Sequence, residues 1–199
     1  MKKTTLLILT SLLSGCSLFD VPEVLPLYTL RYTSFEPREV LSTSLAVDTP
    51  LSEASLNTTR IAITPSAFQR DYLADGQWPD RLPKVLQEVF LESFGERWGE
   101  VYVNRMGSAL DTQYLLQSEI QDFSVYNLDQ EQPEVRVKIL FKLIELRSRK
   151  VIAAQTFAKI TPASSATMRS IVEAFNQDVH ELLKDTICWM EEVFLKEKP

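Results

Sequence analysis

The spacing of hydrophobic residues changes several times along the chain, and each spacing predicts a type of secondary structure. Alternation with a period of two predicts strands over residues 114–125, 135–143 and 151–160. The short connections between these segments predict an antiparallel meander, with a bulge near Asp122 where the apolar positions move out of phase. Stretches rich in β-favouring residues predict four shorter strands, at residues 28–32, 45–47, 60–63 and 101–103.

Apolar residues spaced three and four apart predict two main amphipathic helices. The first begins near Trp78-Pro79-Asp80 and ends at Gly95 or just beyond, and the second covers residues 166–196. Proline is tolerated in a first helical turn, and an aspartate there complements the helix dipole. Together the elements predict an α+β fold, a single domain in which the two helices pack against a mostly antiparallel sheet.

The N-terminal segment has the pattern of a secretory signal peptide. Lys2 and Lys3 precede an apolar stretch over residues 4–13, which is too short to span a bilayer. The stretch ends in Leu13-Ser14-Gly15-Cys16, which resembles the lipobox where bacterial signal peptidase II cuts before an acylated cysteine. The alternative is an ordinary secretory signal with an accidental cysteine.

The lipobox divides the chain into a cleaved signal peptide (1–15), a lipidated tether (16–26) and a folded domain (27–199). Two or three acyl chains, such as palmitate, on Cys16 would give a stable anchor, because each buried CH₂ contributes about 0.8 kcal/mol. Ser17 follows the cysteine where an aspartate would, by analogy with enterobacterial sorting, retain the protein in the inner membrane. We therefore expect the mature protein to be anchored at the periplasmic face of the outer membrane.

The composition is that of a folded domain rather than a disordered, collagenous or disulfide-rich chain. Of 199 residues, 45% are hydrophobic and five are glycine. Acidic residues outnumber basic ones, 27 to 21, so the net charge is −6 and no nucleic-acid partner is expected. Cleavage before Cys16 removes Lys2 and Lys3 and leaves a domain with a net charge of −8.

The residue types needed for catalysis are too few to predict an enzyme. His180 is the sole histidine of the sequence and falls with Asp178 on the predicted polar face of the second helix. Cys188, beside Trp189 in an apolar stretch, is predicted to be a buried thiol rather than a nucleophile. With Cys16 acylated, no internal disulfide is expected. Five glycines offer no phosphate-binding loop, so we predict no enzymatic activity, no metal site and no cofactor.

One aromatic stretch, residues 72–83, has two interpretations. Tyr72, Trp78 and Arg81 are of the types that concentrate binding energy at protein interfaces, so the stretch is a candidate docking loop for a partner. In the alternative, Tyr72 and Trp78 close the end of the hydrophobic core and Arg81 pairs with a nearby acidic residue.

Several stretches, in a fixed order behind the lipobox, resemble one family of bacterial proteins. The stretches are residues 56–62, 72–86, Asp111, residues 114–123, Pro162-Ala163, Ala174-Phe175 and Trp189. In this order they resemble the ABC-type transport auxiliary lipoproteins, the family that includes the PqiC/YmbA-like lipoproteins of Gram-negative bacteria. The likeness extends over nearly the whole mature chain.

The resemblance implies a non-enzymatic lipoprotein that works with an Mce/MlaD-type ABC system in phospholipid transport between membranes. Its partners would be the Mce/MlaD-type periplasmic protein with its permease and ATPase, and the lipid on Cys16 would contact the membrane. Some family members form rings, so a homo-oligomeric ring is one implied option. A second function is consistent with the same lipobox and composition. In this alternative the protein is a lipoprotein that regulates or scaffolds cell-envelope assembly, such as the peptidoglycan or lipopolysaccharide machinery.

Overall fold

The structure, a computed structural model, describes residues 24–31, 34–37, 44–99, 102–108 and 112–197. Cys16, the tether before Val24 and Asp111 lie outside the described residues. Within the described ranges the chain forms eight strands and two helices. They are β1 (Leu45–Val47), β2 (Leu51–Ser52), β3 (Arg60–Ser66), β4 (Gln69–Gln77), α1 (Leu82–Trp98), β5 (Val103–Arg105), β6 (Tyr114–Tyr126), β7 (Glu134–Glu145), β8 (Lys150–Pro162) and α2 (Met168–Glu197).

Strand β6 lies at the centre of the sheet, and the predicted meander lies on one side of it. β6 pairs antiparallel with β7 along nearly its whole length, and β7 pairs in the same way with β8. The register of β6 against β7 shifts between Ile120 and Asp122. The meander and the bulge near Asp122 are therefore confirmed.

The other side of β6 shows that the prediction of a mostly antiparallel sheet is wrong. β1, β2 and β3 all pair with β6 in the parallel direction, at successive positions along its length. β5 pairs parallel with β1, and β4 pairs antiparallel with β3. The sheet of this α+β fold is therefore mixed. Parallel pairing of β3 with β6 is possible because a long connection containing α1 separates them, and local alternation of side chains does not reveal strand direction.

Helix α1 begins at Leu82, two to four residues after the predicted start near Trp78-Pro79-Asp80. Arg81 is its N-cap, and a proline occupies its first turn, so Trp78 lies before the helix rather than in it. The helix ends at Trp98, and Gly99 follows with a φ of 95°, a left-handed conformation that glycine adopts without steric cost.

Both helices cover the same face of the sheet and enclose the hydrophobic core. Phe90 of α1 contacts Phe141 of β7, with ring centroids 5.5 Å apart. Phe175 of α2 stacks on Phe123 of β6 at 4.6 Å. All four side chains are 1% exposed or less, so the two helices are joined through one aromatic layer. No helix in the described ranges is both long and apolar enough to cross a bilayer.

The N-terminal segment does not form the predicted strand at residues 28–32 in its described part. Leu27 makes a single parallel bridge with Gln77, in which the Tyr28 N–H donates to the Gln77 carbonyl at 2.8 Å. The chain then leaves the sheet and reaches α2, where the Arg31 N–H donates to the side-chain oxygen of Asn176 at 2.7 Å. The segment therefore joins the sheet edge to α2 instead of adding a strand.

Two predictions about the faces of α2 are wrong. Cys188 is exposed rather than buried. Asp178 is 1% exposed rather than solvated, and its Oδ1 accepts a hydrogen bond from the Thr161 hydroxyl at 2.5 Å. His180 is half-buried, and its ring stacks on Phe35 with centroids 5.5 Å apart. The predicted buried stripe of α2, from Ile171 to Phe194, is nevertheless buried, so the errors concern these two positions and not the orientation of the helix.

Candidate docking surface

Tyr72 lies on strand β4, where neighbouring groups hold its ring at the surface. Its hydroxyl donates to the Ser55 carbonyl at 3.0 Å. The guanidinium carbon of Arg60 lies 4.0 Å from the centroid of the tyrosine ring, a cation–π contact that contributes about 0.5–1 kcal/mol at an exposed site. Tyr72 is therefore half-buried and fixed in position, as a preorganised contact residue would be.

Trp78 lies in the core between the sheet and α2. Its ring makes edge contacts with Phe123 and Phe175, at centroid distances of 6.0 and 5.6 Å, and it is 1% exposed. Its backbone N–H donates to the Thr59 carbonyl at 2.7 Å. This position agrees with the interpretation in which Trp78 closes the core, and it leaves the ring little surface for a partner.

Arg81 is exposed at the start of α1. Its backbone N–H donates to Asp80 Oδ1 at 2.7 Å, and this hydrogen bond lowers the pKa of the Asp80 carboxyl. The ion pair of Asp80 is with Lys84 one turn later, at 3.4 Å, rather than with the guanidinium of Arg81. The Arg81 side chain therefore projects from a well-ordered helix start.

One loop, residues 53–59, contacts both ends of the predicted docking stretch. The Ser55 carbonyl accepts a hydrogen bond from the Tyr72 hydroxyl. The Thr58 carbonyl accepts one, at 3.0 Å, from the N–H of Leu82, which follows Arg81 in the chain. We call Tyr72, Arg60, Arg81 and this loop the docking surface. Docking of a partner there stays a prediction.

A second exposed feature, which sequence reasoning missed, lies at the turn between β3 and β4. Phe68 is 101% exposed, more than any other large hydrophobic side chain in the described ranges. At the base of this hairpin an open groove of about 480 Å³ is lined largely by apolar groups, including Ile63, Pro65, Val125 and Leu128. The available signal was an aromatic residue in a turn, outside any hydrophobic period.

The described residues contain no group of three or more His, Cys, Asp or Glu side chains that could hold a metal ion. His180 contacts Phe35 by stacking, and its Nε2 lies 4.0 Å from a carboxylate oxygen of Glu181. Burial raises the pKa of the Asp178 carboxyl to about 6, but its hydrogen-bond partner is the Thr161 hydroxyl.

Comparison with known proteins identifies the family. A family model described as "ABC-type transport auxiliary lipoprotein component" matches residues 28–186. The chain belongs to this family. The match extends from the N-terminal segment into α2, so it covers nearly the whole described domain. As an ABC-type transport auxiliary lipoprotein, the protein is a component of an ABC transport system, and membership implies a membrane-anchored periplasmic location.

Solved structures share the fold of this auxiliary lipoprotein at low sequence identity. Protein XCC0632 from Xanthomonas campestris has a TM-score of 0.77 and 19% identity, with 87% of this chain and 98% of that chain covered. An uncharacterized protein has a TM-score of 0.62 and 12% identity, with 82% and 99% covered. No curated protein sequence matches the chain.

Proposed function

We propose that the protein is a lipid-anchored, non-enzymatic component of an Mce/MlaD-type ABC system that transports phospholipid between the two membranes. The observation that carries the proposal is the family match over residues 28–186, behind the lipobox at Cys16. The role is positional. The acyl chains hold the domain at one membrane, the domain receives the periplasmic Mce/MlaD-type protein, and the partner ATPase supplies the energy.

The docking surface supports a role in protein contact. Tyr72 and Arg60 form an aromatic and cationic pair, and the exposed Arg81 precedes Leu82, whose N–H donates to the Thr58 carbonyl of the same loop that Tyr72 contacts. Tyrosine and arginine dominate the energetics of many protein interfaces. Arg60 and Arg81 are exposed cations on a mature chain whose net charge is −8, so we expect these two guanidinium groups to pair with carboxylates of the partner.

The anchor is tested by comparing two cysteine variants. Cys16→Ala should release the protein from membranes after a carbonate wash, because two or three acyl chains are lost. Cys188→Ala is the matched control, since it removes the exposed cysteine of α2 and should leave the protein in the membrane fraction. Sedimentation of Cys16→Ala with washed membranes would contradict the anchor.

Sorting to the outer rather than the inner membrane is tested by changing Ser17, the residue after the lipidated cysteine. Wild-type protein should co-fractionate with the outer membrane on a density gradient, and Ser17→Asp should move it to the inner membrane. An unchanged distribution of Ser17→Asp in an enterobacterial host would contradict the proposed sorting.

The partner is tested by affinity purification from detergent-solubilised membranes. We expect an Mce/MlaD-type protein with its permease and ATPase, and Arg81→Ala should reduce their recovery. Arg147→Ala, which removes an exposed arginine from the turn between β7 and β8, is the matched control. Recovery of peptidoglycan or lipopolysaccharide machinery in place of an Mce-type protein would favour the envelope-assembly alternative.

A further inference from the structure

Phe68 stands at the tip of the β3–β4 hairpin with its whole side chain exposed. Ser66 and Gln69 are the last paired residues of the two strands, so Ala67 and Phe68 form the turn. No residue from Thr64 to Gln69 carries a charge, and Pro65 is also exposed. The tip is therefore an uncharged projection with an aromatic ring at its end.

The geometry of the turn does not explain a phenylalanine at this position. Two-residue hairpin turns favour glycine, asparagine or aspartate, because these residues tolerate a positive φ. Among the described non-glycine residues, positive φ angles occur at Asn127 and Arg149, and not at Ala67 or Phe68. A polar residue would suit the turn equally well. The exposed ring, the exposed Pro65 and the apolar groove at the base of the hairpin together form an apolar surface, which points to a contact outside the domain.

The chain enters the domain from the side on which this tip lies. Leu27 bridges Gln77 in the parallel direction, so residues before Leu27 run alongside β4 toward its beginning at Gln69. The Gln77 N–H donates to the Pro26 carbonyl at 3.1 Å, which fixes this direction. The first described residue, Val24, is 90% exposed and therefore lies outside the core.

The length of the tether places Cys16 within reach of the level of Phe68. Cys16 precedes Val24 by eight residues, which span about 26–29 Å when fully extended. From the level of Val24, beside β4, to the tip of the hairpin the distance is about 20 Å, at about 3.3 Å per strand residue. The tether is therefore long enough for the membrane that holds the acyl chains of Cys16 to lie at the end of the domain where Phe68 projects.

We propose that Phe68 and the uncharged turn around it insert into the surface of the bilayer that holds the acyl chains of Cys16. The inference rests on the lipid anchor of the proposed function. Aromatic side chains are favoured at the boundary between headgroups and acyl chains, where an apolar ring leaves water without crossing the membrane. The acyl chains supply the affinity, and the tip sets the orientation of the domain.

The charge at the end of the domain that carries Phe68 indicates which type of lipid the tip would enter. Thr64 pairs with Tyr126, so the β6–β7 turn lies beside the hairpin and brings the exposed carboxylates of Asp129 and Glu131 to this end. These carboxylates would be repelled by anionic lipid. We therefore expect insertion into a surface of zwitterionic phospholipid.

The test uses the lipidated mature protein, reconstituted into phosphatidylcholine vesicles that contain brominated phosphatidylcholine, which quenches nearby tryptophan. Phe68→Trp places a fluorophore at the tip, and the wild-type signal from Trp78, Trp98 and Trp189 is subtracted. Leu195→Trp is the matched control, because Leu195 is also exposed, at 59%. It lies at the opposite end of the domain, next to Phe194, which contacts Tyr114 at the start of β6.

We expect strong quenching and a blue shift for the tryptophan of Phe68→Trp, and neither for that of Leu195→Trp. Floating protein with an unquenched tryptophan at the tip would overturn the insertion while leaving the anchor intact. Failure of the lipidated protein to float with the vesicles would overturn both. A blue shift that appears without vesicles and grows with protein concentration would identify a second copy as the occupant and overturn the membrane contact.

Discussion

Asp178 gives the sharpest prediction about stability, because it is a buried carboxyl with one hydrogen bond. Its Oδ1 accepts from the Thr161 hydroxyl, whereas Oδ2 is buried with no hydrogen-bond partner among the described residues. Burial raises its pKa from 3.8 to about 6, although the Thr161 hydrogen bond and the charge of Lys159 oppose the rise. The folded state therefore binds this proton more tightly than the unfolded state.

The sign of the pH dependence follows from this shift. Between about pH 4 and pH 6 the folded state holds more protons than the unfolded state, so the free energy of unfolding falls as the pH rises. The shift from 3.8 to about 6 corresponds to at most about 3 kcal/mol at 1.36 kcal/mol per pH unit. Above pH 7 the whole penalty is present, and below pH 4 it is absent.

Asp178→Asn removes the titration while keeping an oxygen for Thr161. Urea unfolding should show that the variant gains stability relative to wild type, by up to about 3 kcal/mol, between pH 4 and pH 7.5. Any constant cost of the buried amide cancels in this comparison. Asp129→Asn, in an exposed turn, controls for the change in net charge. A difference that changes by less than about 0.5 kcal/mol over this range would show that the pKa of Asp178 is not raised in the folded protein.

Three other substitutions test the packing of the domain. A β carbon at Gly76 would lie 2.6 Å from a ring carbon of Tyr28, so Gly76→Ala should displace the N-terminal segment, which faster amide exchange at residues 27–31 would report. Trp78→Ala should lower the free energy of unfolding by about 3–5 kcal/mol in urea, because it empties a core site; a change below about 1 kcal/mol would contradict the burial. Glu191→Ala should cost about 3 kcal/mol, since it leaves Arg97, 2.8 Å away and little exposed, without this carboxylate. Retained stability in a thermal melt would show that the α1–α2 ion pair contributes little.

The elements with a strong period were predictable from the sequence. The alternation over residues 114–160 predicted the antiparallel meander, and the three- and four-residue spacing predicted both helices. The patterns of β6, β7 and the two helices are strong because one face of each is buried in the core, whereas β8 has only half-buried and exposed residues. Boundaries were less accurate, as the start of α1 shows.

Strand direction and the edge strand β4 were not predictable in this way. Alternation is the same in parallel and antiparallel strands, so it could not reveal that β1, β2 and β3 run parallel to β6. β4 has few buried side chains, and it contains Gly76 and two aspartates, which are depleted in strands. Residues 69–71 of β4 therefore have no predicted strand, and residues 72–77 fall in the predicted docking loop.

The faces of α2 show how polarity misled the prediction. Asp178 is three residues after Phe175, so its spacing alone assigns it to the buried stripe of α2. It was assigned to the solvent-exposed face only because its side chain is a carboxylate. Cys188 is four residues after the exposed Lys184 and four before the exposed Glu192, so its spacing assigns it to the solvent face. Helical position outweighed residue type at both sites.

The candidate site was partly accessible from residue types. Tyr72 and Arg81 are at the surface, as a docking residue must be, whereas Trp78 has the composition of an interface residue and the position of a core residue. Aromatic type alone does not distinguish the two. Exposure of Phe68 depends on the length of the β3–β4 hairpin, which the sequence reading did not detect.

In the proposed role, this lipoprotein brings a transport partner to the membrane that holds its anchor. The most direct measurement is flotation of the purified Mce/MlaD-type periplasmic protein with vesicles that carry the lipidated protein. We predict that the partner floats with vesicles carrying wild type or Cys188→Ala, and remains at the bottom with Cys16→Ala, which should not bind the vesicles. A partner that stays at the bottom while wild-type lipoprotein floats would contradict the account.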